Sequence, residues 1–253
     1  AGGQTVREGE SISMDGTSGN VFLGEIETVQ PALEDIPEAI ELLGWADEAR
    51  RLGVWANADT PNDATQALAM GAEGIGLCRT EHMFLDLQRL PAVRRMLLSA
   101  DAGERWRQEH PELTGNPLGT PGLPPDVESF FSALAEVLQL QTDDFTQILR
   151  AMGARPVIIR LLDAPLHEFL PAYDTLLAEV VEMRTRGTSP AGELRDKETF
   201  LSLVESLREE NPMLGHRGCR LGLTFPAIYE MQVEAIITAG ANLIKEGIEV
   251  HPE

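Results

Sequence analysis

The chain has 253 residues and a formal net charge of −21, from 41 acidic and 20 basic residues, and its 43% hydrophobic content is enough to build the core of one or two domains. The charge disfavours nucleic acid and anionic membranes as partners, no apolar run nears the ~18 residues of a membrane span, and residues 1–16 lack the basic start and apolar stretch of a signal peptide. Two cysteines, Cys78 and Cys219, are too few for a disulfide framework, so a reducing, cytoplasmic setting is expected.

Along the chain, Ser11–Met14 alternates, Asp15-Gly16 signals a turn and Val21-Phe22-Leu23 follows, which predicts a β-hairpin within residues 1–25. Residues 26–53 read as a linker around Pro31 and a helix from Pro37. Its apolar positions Ile36, Ala39, Ile40, Leu43 and Leu52 lie near one face, and Gly53 is the stop. Val54–Ala58 reads as a strand. Asp59-Thr60-Pro61 then opens a helix that buries Ala64, Ala67, Leu68 and Met70 and ends at Gly71. Gly74–Cys78 is a second strand, and strand–helix–strand in so short a span is a βαβ crossover with parallel strands.

Leu90–Trp106 and Phe130–Met152 carry helical periods, and the proline- and glycine-punctuated residues 110–125 between them read as an irregular loop. Arg155–Asp163 holds a third strand, with helices following at about 173–186 and 197–209. A short fourth strand is expected near 216–221, with Cys219 a small buried hydrophobe within it. Thr224 is expected to cap a last helix that Gly240 ends. The fold class is therefore α/β: about four βα units, half of a (β/α)8 TIM barrel, preceded by a short hairpin. A small doubly wound sheet is the alternative.

Only Lys197 and Lys245 are lysines, so an arginine is informative here through its position alone. Arg79 follows the second strand, Arg160 sits near the end of the third with Asp163 just after it, and Arg217 lies in the predicted fourth. Each arginine singly has an ion pair with a nearby acid as its ordinary role. Their shared position at strand C-termini, the active face of a parallel barrel, makes them a candidate clamp for a dianion, because guanidinium forks hold phosphate and carboxylate oxygens two at a time. Glu81 and His82 are expected to orient Arg79 or its loop. His167, Glu168 and His216 are expected to serve packing. No Walker loop, metalloprotease helix, nucleophile elbow or dinucleotide fingerprint is present.

Gly74-Ile75-Gly76-Leu77-Cys78-Arg79-Thr80-Glu81-His82-Met83-Phe84 resembles the signature of the pyruvate, phosphate dikinase family. The segments Arg160–Pro171 and Asn211–Leu221 resemble two further blocks of it, in the same order and spacing. Enzyme I of the sugar phosphotransferase system and phosphoenolpyruvate synthase share the arginines without the Cys-Arg-Thr-Glu-His-Met-Phe and Leu-His-Glu-Phe wording. The resemblance implies the interconversion of ATP, phosphate and pyruvate with AMP, diphosphate and phosphoenolpyruvate (PEP). It also implies that Arg79, Arg160 and Arg217 hold the substrate phosphoryl group, with Asp163 in support.

The resemblance divides the chain into 1–25, the tail of the phosphohistidine domain; 26–53, linker and helix; and 54–253, the first half of the PEP/pyruvate barrel. The family's phosphorylatable histidine, its Mg2+-binding carboxylates and its acid/base cysteine match no position here. The chain is thus expected to be an inactive piece whose partners are PEP or pyruvate and the remainder of the parent enzyme. The alternatives are a non-catalytic anion-binding module and an enzyme I-like phosphotransferase. Half a barrel leaves edge strands and an apolar inner face, from which a homodimer or a covering of helices is expected.

Overall fold

The computed structural model describes residues 5–27, 36–113, 115–187, 191–206 and 215–253. The chain separates into two compact units, Ala1–Leu52 and Gly53–Glu253.

In the first unit, β1 (Ile12–Met14) and β2 (Val21–Leu23) pair antiparallel with Met14 opposite Val21. The hairpin is as expected, but its turn is not a two-residue Asp-Gly. The loop runs Asp15–Asn20, and Gly19 rather than Gly16 takes the positive φ, at 73°. Asp15 organises this loop by accepting from the Thr17 N–H at 2.9 Å and from the Ser18 hydroxyl. α1 (Pro37–Ala49) starts on its proline and stops short of Gly53, and Ile40, Leu43 and Trp45 remain exposed on it. Most of the linker, residues 28–35, lies outside the described residues.

The second unit is built on one parallel sheet. β3 (Trp55–Asn57), β4 (Gly74–Arg79), β5 (Pro156–Arg160) and β6 (His251–Pro252) lie side by side in chain order. A sequential order without reversal is the winding of a (β/α)8 barrel, whereas a doubly wound sheet reverses direction about a switch point. Among the described residues the sheet stays open and no closed barrel forms.

α2 (Pro61–Ala69) starts as its sequence requires. The Thr60 hydroxyl accepts from the Asp63 N–H at 3.1 Å while the Asp63 carboxylate accepts from the Thr60 N–H at 3.0 Å. Ala64 on this helix is buried but Met70 is not; Met70 lies past the last helical turn, just before Gly71 reverses the chain at φ 88°. α4 (Leu90–Glu109) and α5 (Pro125–Met152) pack on each other, and α5 packs on α9 (Pro226–Lys245). At Gly103 an added Cβ would sit 2.0 Å from the Phe130 ring, so the missing side chain is what lets the two helices close up. Phe84, Phe130, Phe131, Phe169 and Ile228 form one core, and Ile75, Val157, Phe145, Ile148 and Leu243 form another against the sheet.

The segment after residue 214 departs from expectation. Gly218 adopts φ 55°, ψ −130°, a conformation that breaks an extended run. The chain then turns into α8 (Cys219–Thr224), and the fourth strand comes instead from His251–Pro252. Cys219 is consequently exposed rather than buried. Thr224 does not cap α9; Phe225 holds the cap position, and the Thr224 hydroxyl bonds His216 at 2.8 Å. Nor does Gly240 end α9. It is buried against Val250 and Pro252, and Gly247 at φ 83° follows the true end. α6 (Tyr173–Arg186) falls where expected. α7 spans Ala191–Ser206, starting earlier than expected, and residues 207–214, including the head of the third motif, lie outside the described residues.

Candidate functional site

Arg79 and Arg160 are the last residues of β4 and β5, and they are register partners across the two strands. Neighbouring positions in parallel register share a face, so both side chains leave the sheet together at its C-terminal edge. Arg217 joins them from the bend before α8 and not from a strand. All three line one cleft of about 330 Å³, along with Glu81, His82, Asp163 and Glu168. The sequence-derived set is therefore brought together, by two strands and one loop.

Each arginine is also ion-paired. Arg160 bonds Glu81 and lies 3.8 Å from Asp163. Arg217 donates from Nε to Asp163 at 3.0 Å, and that hydrogen bond raises its already high pKa. Arg79 Nε lies 4.0 Å from Asp59. These pairs do not exhaust the donors: Nε of Arg79 and Nε of Arg160 are buried with no hydrogen-bond partner among the described residues, as is Glu81 Oε2. Buried guanidinium N–H groups without acceptors are costly, and an anion in the cleft supplies acceptors.

The supports come from residues that carry no motif signal of their own. Thr80 donates its hydroxyl proton to the Arg160 carbonyl at 3.1 Å, fixing the end of β5 against α3 (Thr80–Phe84). On α9, Gln232 accepts from the Leu162 N–H at 2.8 Å, and the Tyr229 hydroxyl sits 2.6 Å from the Leu162 carbonyl and 2.9 Å from that of Gly218. One helix face thus holds both the β5 loop and the Arg217 loop, and burial pushes the Tyr229 phenol pKa up, keeping it a donor. At Gly218 a Cβ would meet Asp163 Oδ1 at 2.9 Å, so the loop closes on Asp163 only because no side chain intervenes. Glu81 grips Arg160, not Arg79. Asp59, first read only as the start of α2, accepts from the Arg79 backbone N–H at 2.6 Å and pairs with His82 Nδ1 at 2.7 Å.

The family resemblance implies Mg2+. Among the described residues no three His, Cys, Asp or Glu side chains gather as a metal-holding group. The cleft's Glu81 and Asp163 are already taken by arginines. This donor set does not fit a magnesium ion.

The family model described as PEP-utilising enzyme, PEP-binding domain, matches residues 35–250. The chain is 42% identical over 252 residues to a pyruvate, phosphate dikinase of Entamoeba histolytica, covering 100% of this chain and 25% of the relative. It is 41% identical over 246 residues to that of Rickettsia typhi, covering 97% and 24%. It is 43% identical over 254 residues to pyruvate, phosphate dikinase 1, chloroplastic, of Arabidopsis thaliana, covering 100% and 23%. The chain spans about a quarter of the length of these curated relatives. Matched over most of its length, the chain belongs to the family of the PEP-binding domain of PEP-utilising enzymes.

Proposed function

We propose that the cleft binds the phosphoryl group of PEP, as part of a pyruvate, phosphate dikinase acting in the cytoplasm. The observation that carries this reading is the convergence of Arg79, Arg160 and Arg217 on one cleft at the C-terminal edge of the sheet. Arg79 and Arg160, side by side in register, present donors to a phosphoryl group, with Arg217 closing the clamp over Asp163. Glu81 and Asp163 hold the Arg160 and Arg217 guanidinium groups in place, so the anion meets fixed donors instead of ordering flexible ones. These residues bind and orient. The phosphoryl and proton transfers of the dikinase reaction, with its Mg2+ and ATP, belong to the parent enzyme, with residues 1–25 the tail of its phosphohistidine domain and 54–253 the first half of its barrel. The open sheet is completed by the remainder of that enzyme or, in its absence, by a second copy.

Calorimetric titration of the chain with PEP tests the reading. Saturable binding that Arg160→Ala weakens on the order of a hundredfold supports it. Absence of binding, or binding indifferent to Arg160, refutes it.

A further inference from the structure

The charges around the cleft do not balance. Asp59 reaches it through His82, and Glu81, Asp163 and Glu168 line it directly. Among the described residues, Arg79, Arg160 and Arg217 stand against these four carboxylates. A phosphoryl dianion entering this ring adds negative charge to a site that already carries one acid too many, within distances where salt screens little. Of the side chains lining the cleft, Glu81, Asp163 and Glu168 would only lose charge on taking up a proton, whereas His82 turns cationic.

Its geometry suits that role. Asp59 Oδ2 lies 2.7 Å from His82 Nδ1. An ionised carboxylate only accepts, so Nδ1 carries a proton and Nε2 is the nitrogen free to gain one. The ring is half exposed at the cleft wall and open to solvent protons. Asp59 at the same time accepts from the Arg79 N–H at 2.6 Å, so one carboxylate sets both the imidazole and the backbone of the neighbouring arginine.

We infer that Asp59 and His82 act as a pair that couples anion binding to proton uptake. His82 Nε2 takes a proton from solvent as the phosphoryl group enters, and the resulting imidazolium is a fourth cationic donor to the anion. Asp59 is the positioning residue, fixing the tautomer and holding Arg79. No covalent bond is made or broken beyond that N–H. The inference rests on the PEP-binding reading and adds to it a residue and a proton.

Nitrogen-resolved NMR of the uniformly 15N-labelled chain tests it, in chelator-containing, mildly alkaline buffer with PEP as the titrant. His82→Gln assigns the ring signals among the five histidines. The expected result is that the His82 Nε2 signal moves to its protonated position as the Arg79 and Arg160 amides saturate. Asp59→Asn, which still accepts from the Arg79 N–H, is expected to lose the fixed tautomer and reduce that movement. His82→Gln should weaken binding about tenfold, the scale of one charge-assisted hydrogen bond. Saturation of the arginine amides with His82 unprotonated, or equal affinity in His82→Gln, overturns the inference and leaves the binding site standing. No response at Arg79 or Arg160 overturns the site and the inference together.

Discussion

Two cavities of the second unit differ in what their walls do with charge. The larger, of about 760 Å³, lies between α4, α5 and α9, with Phe131, Leu134, Leu138 and Met231 contributing apolar wall. Its one lining arginine, Arg107, pairs with Glu230 at 2.6 Å and lies 3.5 Å from Glu104, with Nη1 making no hydrogen bond among the described residues. Glu104 in turn is buried and accepts from the Ala227 N–H at 2.7 Å, which ties α4 to the start of α9. Here the ion pairs join helix to helix. In the smaller cleft the ion pairs aim three guanidinium groups into one space, because adjacent parallel strands end in register on Arg79 and Arg160. Volume follows from how helices pack, whereas directed charge follows from strand register.

The sharpest way to break this contrast is to remove one arginine from each cavity. Arg160→Ala is expected to lower PEP affinity on the order of a hundredfold. It should also lower stability by about 1–3 kcal/mol, because Glu81, 8% exposed, loses its partner. Arg160→Lys keeps the charge without the fork and should recover part of the binding. Arg107→Ala should leave PEP affinity unchanged and cost about 1 kcal/mol, because Glu230 is exposed and buried Glu104 keeps the Ala227 N–H. Equal effects of the two variants on binding would erase the distinction.

Gly218→Ala comes next. It places a side chain at φ 55° and 2.9 Å from Asp163 Oδ1, so a loss of about 1–2 kcal/mol is expected in denaturant unfolding. PEP affinity should fall with it as Arg217 is displaced, whereas Gly122→Ala, also at positive φ but with open space around it, should cost stability without touching affinity.

The two cysteines contrast in the same manner. Cys78 is buried at the end of β4, and burial, with Asp59 next, pushes its thiol up to about 12. Cys219 is exposed. Iodoacetamide at neutral pH should label Cys219 alone in the folded chain. A folded-state value above the unfolded one also means that unfolding releases the Cys78 proton earlier, so stability falls as pH rises past about 8.5, the free-thiol range. Cys78→Ala should remove that part of the alkaline loss.

The smallest effect belongs to the larger cavity. Burial raises the Glu104 carboxyl above its usual range, so its contribution to stability is most favourable at acid pH and declines as pH rises through the folded-state value. Glu104→Gln keeps an acceptor for the Ala227 N–H and should flatten this slope with little change in PEP affinity. A slope unchanged by the substitution would place the titration elsewhere.

Much of this was legible in the sequence. Strands β3 to β5 are short apolar runs bounded by turn residues, and each arginine of the cleft could be named from its place beside a strand or in a motif. What was not legible has physical reasons. The 215–222 segment is glycine-rich with Cys219 and Leu221 alternating, and the backbone reversal at Gly218 turns it into a helix from Cys219 on. The real fourth strand, His251–Pro252, is too short to carry an alternating pattern. Gly240 looks like a stop but serves close packing inside α9. Asp59 reads locally as part of a helix start; its bonds to Arg79 and His82 cross from one strand end to the next, and no spacing rule reveals them. Tyr229 and Gln232 are likewise ordinary helix residues until α9 is laid against the β5 loop.

The central claim is most directly tested by a crystal structure of the chain grown with PEP. The account predicts phosphoryl density in the smaller cleft, within hydrogen-bond distance of Arg79, Arg160 and Arg217. Density in the cavity between α4, α5 and α9, or three arginines whose guanidinium groups touch no ligand at saturating PEP, would contradict it.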